Sequence, residues 1–262
     1  MKSSVFIFAH PDDEFGCFES IRSAAEAGDR VECYYLTDGG YRGQSTAIRK
    51  RETLSVLQRL GIVAENVRFV GLECNLPDGV LYECENMSRA ADVVYKSLKN
   101  MRDIEGVYAP AWEGGHQDHD AAFVVACKVA DTLPSRPRVW QYPLYNGYGL
   151  TGSFFNVMKP LLSNGDVTKF SIPLYLRFKY LRFCLSYRSQ WKTWIGLFPF
   201  VFIKLLFDGK YCLQLAVCPK KFERPHSGAL LYERRRMARF EDVSSGVSRF
   251  ATSWHNMTMQ NG

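Results

Sequence analysis

Histidine is scarce in this chain, with five in 262 residues. Cysteine is better represented, but the eight thiols at 17, 33, 74, 84, 127, 184, 212 and 218 form no Cys-x-x-Cys. Several lie in apolar, strand-like runs, so they read as buried thiols of a reducing compartment, and a cytoplasmic protein is expected. Long apolar runs are missing as well. Trp194–Phe207 is the most apolar stretch, but it is too short to span a bilayer and is interrupted by Pro199 and Lys204. The opening run Val5–Ala9 is too short for the core of a signal peptide. There is no internal repeat, no low-complexity stretch, and no zinc-finger, helix-turn-helix or RNP signature. Nucleic acid is therefore not an expected partner, despite a net charge of +6. Length, 47% hydrophobic and 23% charged residues fit one globular α/β domain, with a flexible tail expected after about residue 252.

Against this background two short clusters stand out. His10-Pro11-Asp12-Asp13-Glu14 ends the apolar run Val5–Ala9, and His116-Gln117-Asp118-His119 follows the apolar stretch Val107–Pro110. Taken singly, each has an ordinary reading: His-Pro as a turn, Asp-Asp as a helix cap with first-turn charge. Together they hold three of the five histidines, and His226 and His255 sit in polar contexts that read as surface. Imidazoles and carboxylates in this number supply ligands for a divalent metal and leave groups over for proton transfer, which is what a metallohydrolase needs.

The periodicity predicts strands at 5–9, 31–37, 67–70, 106–109, 139–142 and 213–217. Helices are expected at 15–27, 45–60, 86–101 and 120–131. This alternation predicts a Rossmann-like, mostly parallel sheet with helices on both faces and the active site beyond the carboxyl ends of the strands. Both clusters and Asp38-Gly39-Gly40 then fall on one rim.

The motifs Ala9-His10-Pro11-Asp12-Asp13-Glu14 and Gly115-His116-Gln117-Asp118-His119 resemble the LmbE/PIG-L family of metal-dependent N-deacetylases. Weaker matches include Thr37-Asp38-Gly39, Arg49-x-x-Glu52, Pro77-Asp78-Gly79, Tyr187-x-Ser189-Gln190 and the stretch from Arg224-Pro225 to Tyr232-Glu233. The resemblance implies hydrolysis of the acetamido group of an N-acetylated sugar, of N-acetylglucosamine type, with release of acetate and a free amine. It implies His10, Asp13 and His119 as ligands of Zn²⁺, for which Fe²⁺ is an alternative. Asp12 becomes the general base, His116 the oxyanion donor, and Asp118 the carboxylate that orients His116 or a ligand imidazole. Arg49 and Asp78 are carried over as sugar contacts. One feature departs from the family: the position two before His116, a tyrosine in some members, is Gly114 here.

The segment around 144–210 matches little of the family and is expected to determine the substrate. From Lys169 to Lys210 it carries eight Lys/Arg and one acid, Asp208, among many aromatics. This fits either a buried core segment or a peripheral contact with the inner membrane face, the latter suiting a lipid-linked substrate. Small-molecule or lipid-linked N-acetyl sugars are the expected partners, and assembly into a homo-oligomer is left open. Two other readings remain: an amidase for a different glycoconjugate amide, and a non-catalytic sugar- or membrane-binding module.

Overall fold

The computed structural model describes residues 1–40, 45–152, 154–218 and 222–260, with backbone alone for 255–260. Five parallel strands form the centre: β1 Ser3–Phe8, β2 Arg30–Tyr35, β3 Val67–Phe69, β4 Ile104–Pro110 and β5 Arg138–Tyr142. A two-stranded ribbon follows, β6 Tyr145–Asn146 with β7 Asn156–Val157. Two antiparallel strands, β8 Val167–Ser171 and β9 Lys210–Leu215, then extend the sheet beyond β5 in the order β3-β2-β1-β4-β5-β9-β8.

The helices are α1 Phe18–Glu26, α2 Thr46–Arg59, α3 Val70–Glu73, α4 Cys84–Leu98 and α5 Gln117–Thr132, then α6 Leu174–Cys184, α7 Trp191–Ile203, α8 Leu231–Arg234 and α9 Phe240–Gln260. The fold is the expected α/β class. Strand β1 shows why it needs cover on both faces: all six residues are buried. Val5 and Ile7 point into a core that includes α4, α5 and α9, while Phe6 and Phe8 point into one that includes α1, α2, α6 and α7. Alternation along the strand sends successive side chains to opposite faces, and both must be apolar in a doubly covered sheet. The strand order reverses between β1 and β4, so their carboxyl ends border the crevice where such sheets bind ligands.

Several boundaries shift by a few residues, α4 ending at Leu98 and β9 beginning at Lys210 among them, and three differences bear on the site or the core. The first helix begins at Phe18 rather than 15, because Asp13–Gly16 form a tight 3₁₀ turn. Helix α5 begins at Gln117, not 120, so the second cluster occupies its first turn with His116 as the N-cap. The chain beyond 252 continues as helix to Gln260, since Val243, Val247, Phe250 and Trp254 form a buried stripe at helical spacing. Residues 261–262 of the expected tail lie outside the described residues. His226, read as a surface residue, is buried and lies 5.5 Å from the Tyr148 ring.

Gly71 brings α3 against the rim. A Cβ there would lie 2.0 Å from the Thr37 carbonyl carbon, while the Gly71 carbonyl accepts from Leu76 N–H and Leu76 O accepts from Asp38 N–H. Gly71→Ala is expected to cost about 1–3 kcal/mol or more through overpacking. In thermal denaturation that is about 2–12 °C for a domain of this size. An unchanged melting temperature would show that the rim yields at Thr37.

Candidate active site

The two clusters meet at the crevice. His10 Nδ1 lies 3.2 Å from His119 Nε2 and 3.5 Å from Asp13 Oδ2, and His119 Nε2 lies 3.0 Å from Asp13 Oδ1. Ligand atoms about 2.0–2.2 Å from a tetrahedral ion are separated by about 3.3–3.6 Å, and the two nitrogens and the Asp13 carboxylate, which offers Oδ2 to His10 and Oδ1 to His119, are spaced close to that. His10, Asp13 and His119 are all less than a tenth exposed.

The tautomer of His10 supports this placement. His10 Nε2 faces Asp118 Oδ2 at 3.2 Å and Asp78 Oδ1 at 3.3 Å, so the ring proton belongs on Nε2. That leaves the Nδ1 lone pair turned toward His119 and Asp13. With His119 Nε2 turned into the same cluster, its Nδ1 has no acceptor among the described residues. His116 also brings a ring nitrogen within 4.8 Å of His10 and His119, and Asp78 and Asp118 form a second such group around His10. Neither matches as well: His116 Nδ1 accepts the Asp118 N–H at 3.2 Å, and the two aspartates face the protonated side of His10.

Charge follows from burial and proximity. Burial opposes a proton on His10, yet the carboxylates of Asp78 and Asp13 outweigh it and hold its pKa well above the usual histidine value. Burial likewise opposes ionisation of Asp13 and Asp78, but His119 and His10 hold Asp13 well below the carboxylate range, and His10, then His116 and Arg49, do the same for Asp78. His116 is kept neutral by burial and by its two neighbouring imidazoles. The protein alone thus gathers carboxylates that demand a cation, and a donor set of two imidazoles and a carboxylate fits a divalent metal ion.

Asp12 differs from its neighbours. Its backbone is in the positive-φ region, φ 136°, which a non-glycine residue occupies only under restraint. Its N–H donates to Glu14 Oε2 at 3.0 Å, and Tyr187 OH donates to Glu14 Oε1 at 2.7 Å. Its carboxylate receives Arg49 Nη2–H at 3.0 Å, and Arg49 also donates to the carbonyls of Pro11 and Gly39. Burial pushes the Asp12 pKa up to about 6, with Arg49 opposing. Glu14, fully buried, is pushed up to about 8, with the Tyr187 hydrogen bond opposing.

A pocket of about 350 Å³ opens onto this cluster. His10, Asp12, Asp13, Arg49, Asp78 and His116 line it, together with Phe15, Tyr145, Gln190, Leu197, Arg235 and Met237 among others. The basic run at Arg49 suggested a solvated helix face, but the Arg49 side chain is 4% exposed. Of the pocket residues beyond position 140, Tyr145, Gln190, Thr193 and Leu197 lie in the segment expected to determine the substrate, where only Gln190 belongs to a motif, and Arg235 and Met237 lie outside it. Glu113, to which no role could be given, is buried and accepts from Leu144 N–H, Tyr145 N–H and Asn146 Nδ2–H, which fixes the start of the β6 ribbon and Tyr145 with it. Glu52 accepts from Ser189 N–H and Oγ–H, anchoring the turn that presents Tyr187 and Gln190.

Fold and site define a mostly parallel α/β protein with a buried cluster of imidazoles and carboxylates at the carboxyl ends of its strands. Residues 5–130 match the family model PIG-L, GlcNAc-PI de-N-acetylase. No curated protein sequence matches it. Among solved structures, the chain is similar to a deacetylase of the teicoplanin biosynthetic pathway: TM-score 0.61, 16% identity, covering 83% of this chain and 98% of that one. A zinc-inhibited form of a teicoplanin deacetylase is also among its neighbours. It is similar to the N,N'-diacetylchitobiose deacetylase of Pyrococcus horikoshii: TM-score 0.56, 19% identity, covering 80% and 83%. A 4-carboxy-2-hydroxymuconate hydratase of Pseudomonas putida shares the fold at TM-score 0.51 and 16% identity, covering 82% and 95%. At these identities the neighbours establish the fold alone, and activity must be argued from the site.

The site is expected to bind one divalent ion per chain, removable by chelator. Asp13→Ala or His119→Ala should abolish binding, and Asp118→Ala should weaken it about 10–100-fold by releasing His10. Metal content by elemental analysis tests this, and full occupancy in Asp13→Ala would rule out the assigned triad.

Proposed function

We propose that the protein is a Zn²⁺-dependent N-deacetylase that hydrolyses the acetamido group of an N-acetylated sugar, of N-acetylglucosamine type, releasing acetate and a free amine. The observation that carries this reading is the convergence of His10 Nδ1, His119 Nε2 and the Asp13 carboxylate beside a separately restrained carboxylate, Asp12, in one pocket. A divalent ion held by that triad supplies an acidified water, with a pKa lowered from about 15.7 toward about 7, and polarises an amide carbonyl. Zn²⁺ suits two imidazoles and a carboxylate, and Fe²⁺ suits them also.

The chain's own residues supply the proton movements. Asp12, outside the triad and hydrogen-bonded to Arg49, takes the proton of the attacking water. His116, whose Nδ1 is occupied by the Asp118 N–H, keeps its proton on Nε2 and can donate a hydrogen bond from it to the carbonyl oxygen as negative charge develops there. Collapse breaks the C–N bond, and Asp12 returns its proton to the departing amine. Asp118 positions His10 and, through its N–H, His116. Arg49 and Asp78 are the proposed sugar contacts, and Arg49 also positions Asp12. Among the described residues no helix is long and apolar enough to cross a membrane. A cytoplasmic site of action is part of this proposal.

Asp12→Asn should retain the metal and lower kcat by about 10²–10⁴-fold, the usual worth of a positioned general base. The test is acetate release from a panel of free, nucleotide-linked and lipid-linked N-acetyl sugars, with added Zn²⁺ or Fe²⁺ and a chelator control. Unchanged turnover in Asp12→Asn removes it as the base. Silence across the panel with metal bound would move the substrate elsewhere, and silence without metal would favour a binding module.

The base must be deprotonated to act. With its pKa raised to about 6, activity is expected to fall as pH drops through about 6, or at lower pH once a nearby cation stabilises the carboxylate. Arg49 favours the ionised form, so Arg49→Gln should move the acid limb to higher pH. A limb that stays fixed or moves down would show that it does not report Asp12.

A further inference from the structure

The segment that makes the apolar wall of the pocket also has an outward face that water should not tolerate. Of the nineteen large hydrophobic residues exposed among the described residues, eleven lie between Phe170 and Phe207. Helix α6 buries Leu176, Tyr180, Leu181, Phe183 and Cys184, and its opposite face presents Leu174, Tyr175, Phe178 and Leu185 together with Lys179 and Arg182. Helix α7 is apolar nearly all round yet buries only Trp194, Leu197 and Val201, leaving Trp191 57% and Ile195 66% exposed. Phe207, just beyond it, is 75% exposed. A helix apolar on all sides is normally enclosed. A groove of about 360 Å³ between Leu185, Arg188, Trp191, Ile195 and Phe198 joins the two outward faces.

The chemistry of the missing cover is given by the charges around it. Lys179, Arg182, Arg188 and Lys192 are exposed, and none is ion-paired among the described residues. The single acid of the segment, Asp208, is already taken by Lys204. Aromatic and aliphatic side chains framed by unpaired cations match a bilayer whose headgroups are anionic. The same helix reaches the reaction site: Gln190, Thr193 and Leu197 line the catalytic pocket while Trp191 and Ile195 face outward.

We propose that the outward faces of α6 and α7 dock on an anionic lipid bilayer and hold the catalytic pocket against it, so that the N-acetylated sugar is taken from a lipid carrier. The docking stands on the exposed surface, and the substrate class rests on the deacetylase reading above.

The test uses the full chain and vesicles of phosphatidylcholine with or without phosphatidylglycerol. At physiological salt the protein should co-sediment with the anionic vesicles and not with the neutral ones. Neutralising two cations, Lys179→Gln with Lys192→Gln, should weaken binding about 25-fold, at about five-fold per cation. Ile195→Ser with Phe207→Ser should weaken it at least as much. Both pairs should leave hydrolysis of a soluble N-acetyl sugar unchanged while slowing that of a vesicle-anchored one about ten-fold or more. Absence of binding to anionic vesicles overturns the docking. So does a dimer in sedimentation velocity that Ile195→Ser with Phe207→Ser dissociates without affecting vesicle binding, since the face would then belong to a second copy. Hydrolysis of soluble but not vesicle-borne sugar overturns the lipid-carrier assignment. Vesicle binding that the variants weaken, with no hydrolysis of either sugar, sustains the docking and rejects the deacetylase reading instead.

Discussion

Asp118 is a carboxylate without solvent that ties together three parts of the chain. Its Oδ2 accepts from Gly79 N–H at 2.6 Å and faces His10 Nε2, while Oδ1 accepts from Leu81 N–H at 2.9 Å. A buried carboxylate is costly unless its lone pairs are filled, and these bonds fill them from the β1 loop and the 79–81 turn, tying both to the start of α5. Fixing His10 by its Nε2 turns Nδ1 toward His119 and Asp13. Fixing the turn at Gly79 places Asp78 against His10 and Arg49. Loss of this single acceptor would free a ligand imidazole, and a loop carrying two donors would lose its anchor.

The backbone at Asp12 is a second cost. Its positive φ is held by Glu14 on the N–H and by Arg49 on the carboxylate, while Tyr187 holds Glu14. The strain separates two adjacent aspartates: Asp13 turns into the triad and Asp12 to the pocket wall beside Arg49. Neighbours in an extended strand would also diverge, but they would point to opposite faces of the sheet rather than into one crevice. Strain of this kind persists only where surrounding bonds over-determine it, and here they come from α2 and from the turn before α7.

What the sequence made legible was local. His10 to Glu14 and His116 to His119 are each contiguous, and strand-helix alternation put both at the same sheet edge. Glu14 was harder to read. A solvated first-turn acid explained it equally well, because nothing near it in the chain indicates that Tyr187 covers it. Arg49 sits in Arg49-Lys50-Arg51, a run that looks solvated until Pro11, Asp12 and Gly39 close around the guanidinium. Tyr145 and Arg235 carry no motif, and their place in the wall depends on packing between distant segments. The apolar stretch Trp194–Phe207 suits a buried helix or a membrane-facing one, and composition cannot divide the two because burial depends on what stands opposite.

The pocket has a division of labour that follows the chain. Every charged group in it except Arg235 comes from the first 119 residues, within the stretch that matches the PIG-L model, whereas Tyr145, Gln190, Thr193, Leu197 and Met237 come from the remainder. In the proposed reading the first set would have to meet the geometric demands of a metal triad and a proton acceptor, which tolerate little displacement. The second set need only fit a ligand's shape. It can therefore be rebuilt without disturbing the reacting groups, as is usual when a fixed sheet edge presents variable loops. The same half carries the exposed apolar face of α6 and α7, so under the proposed function and docking one segment would set both the substrate and the surface from which it is drawn.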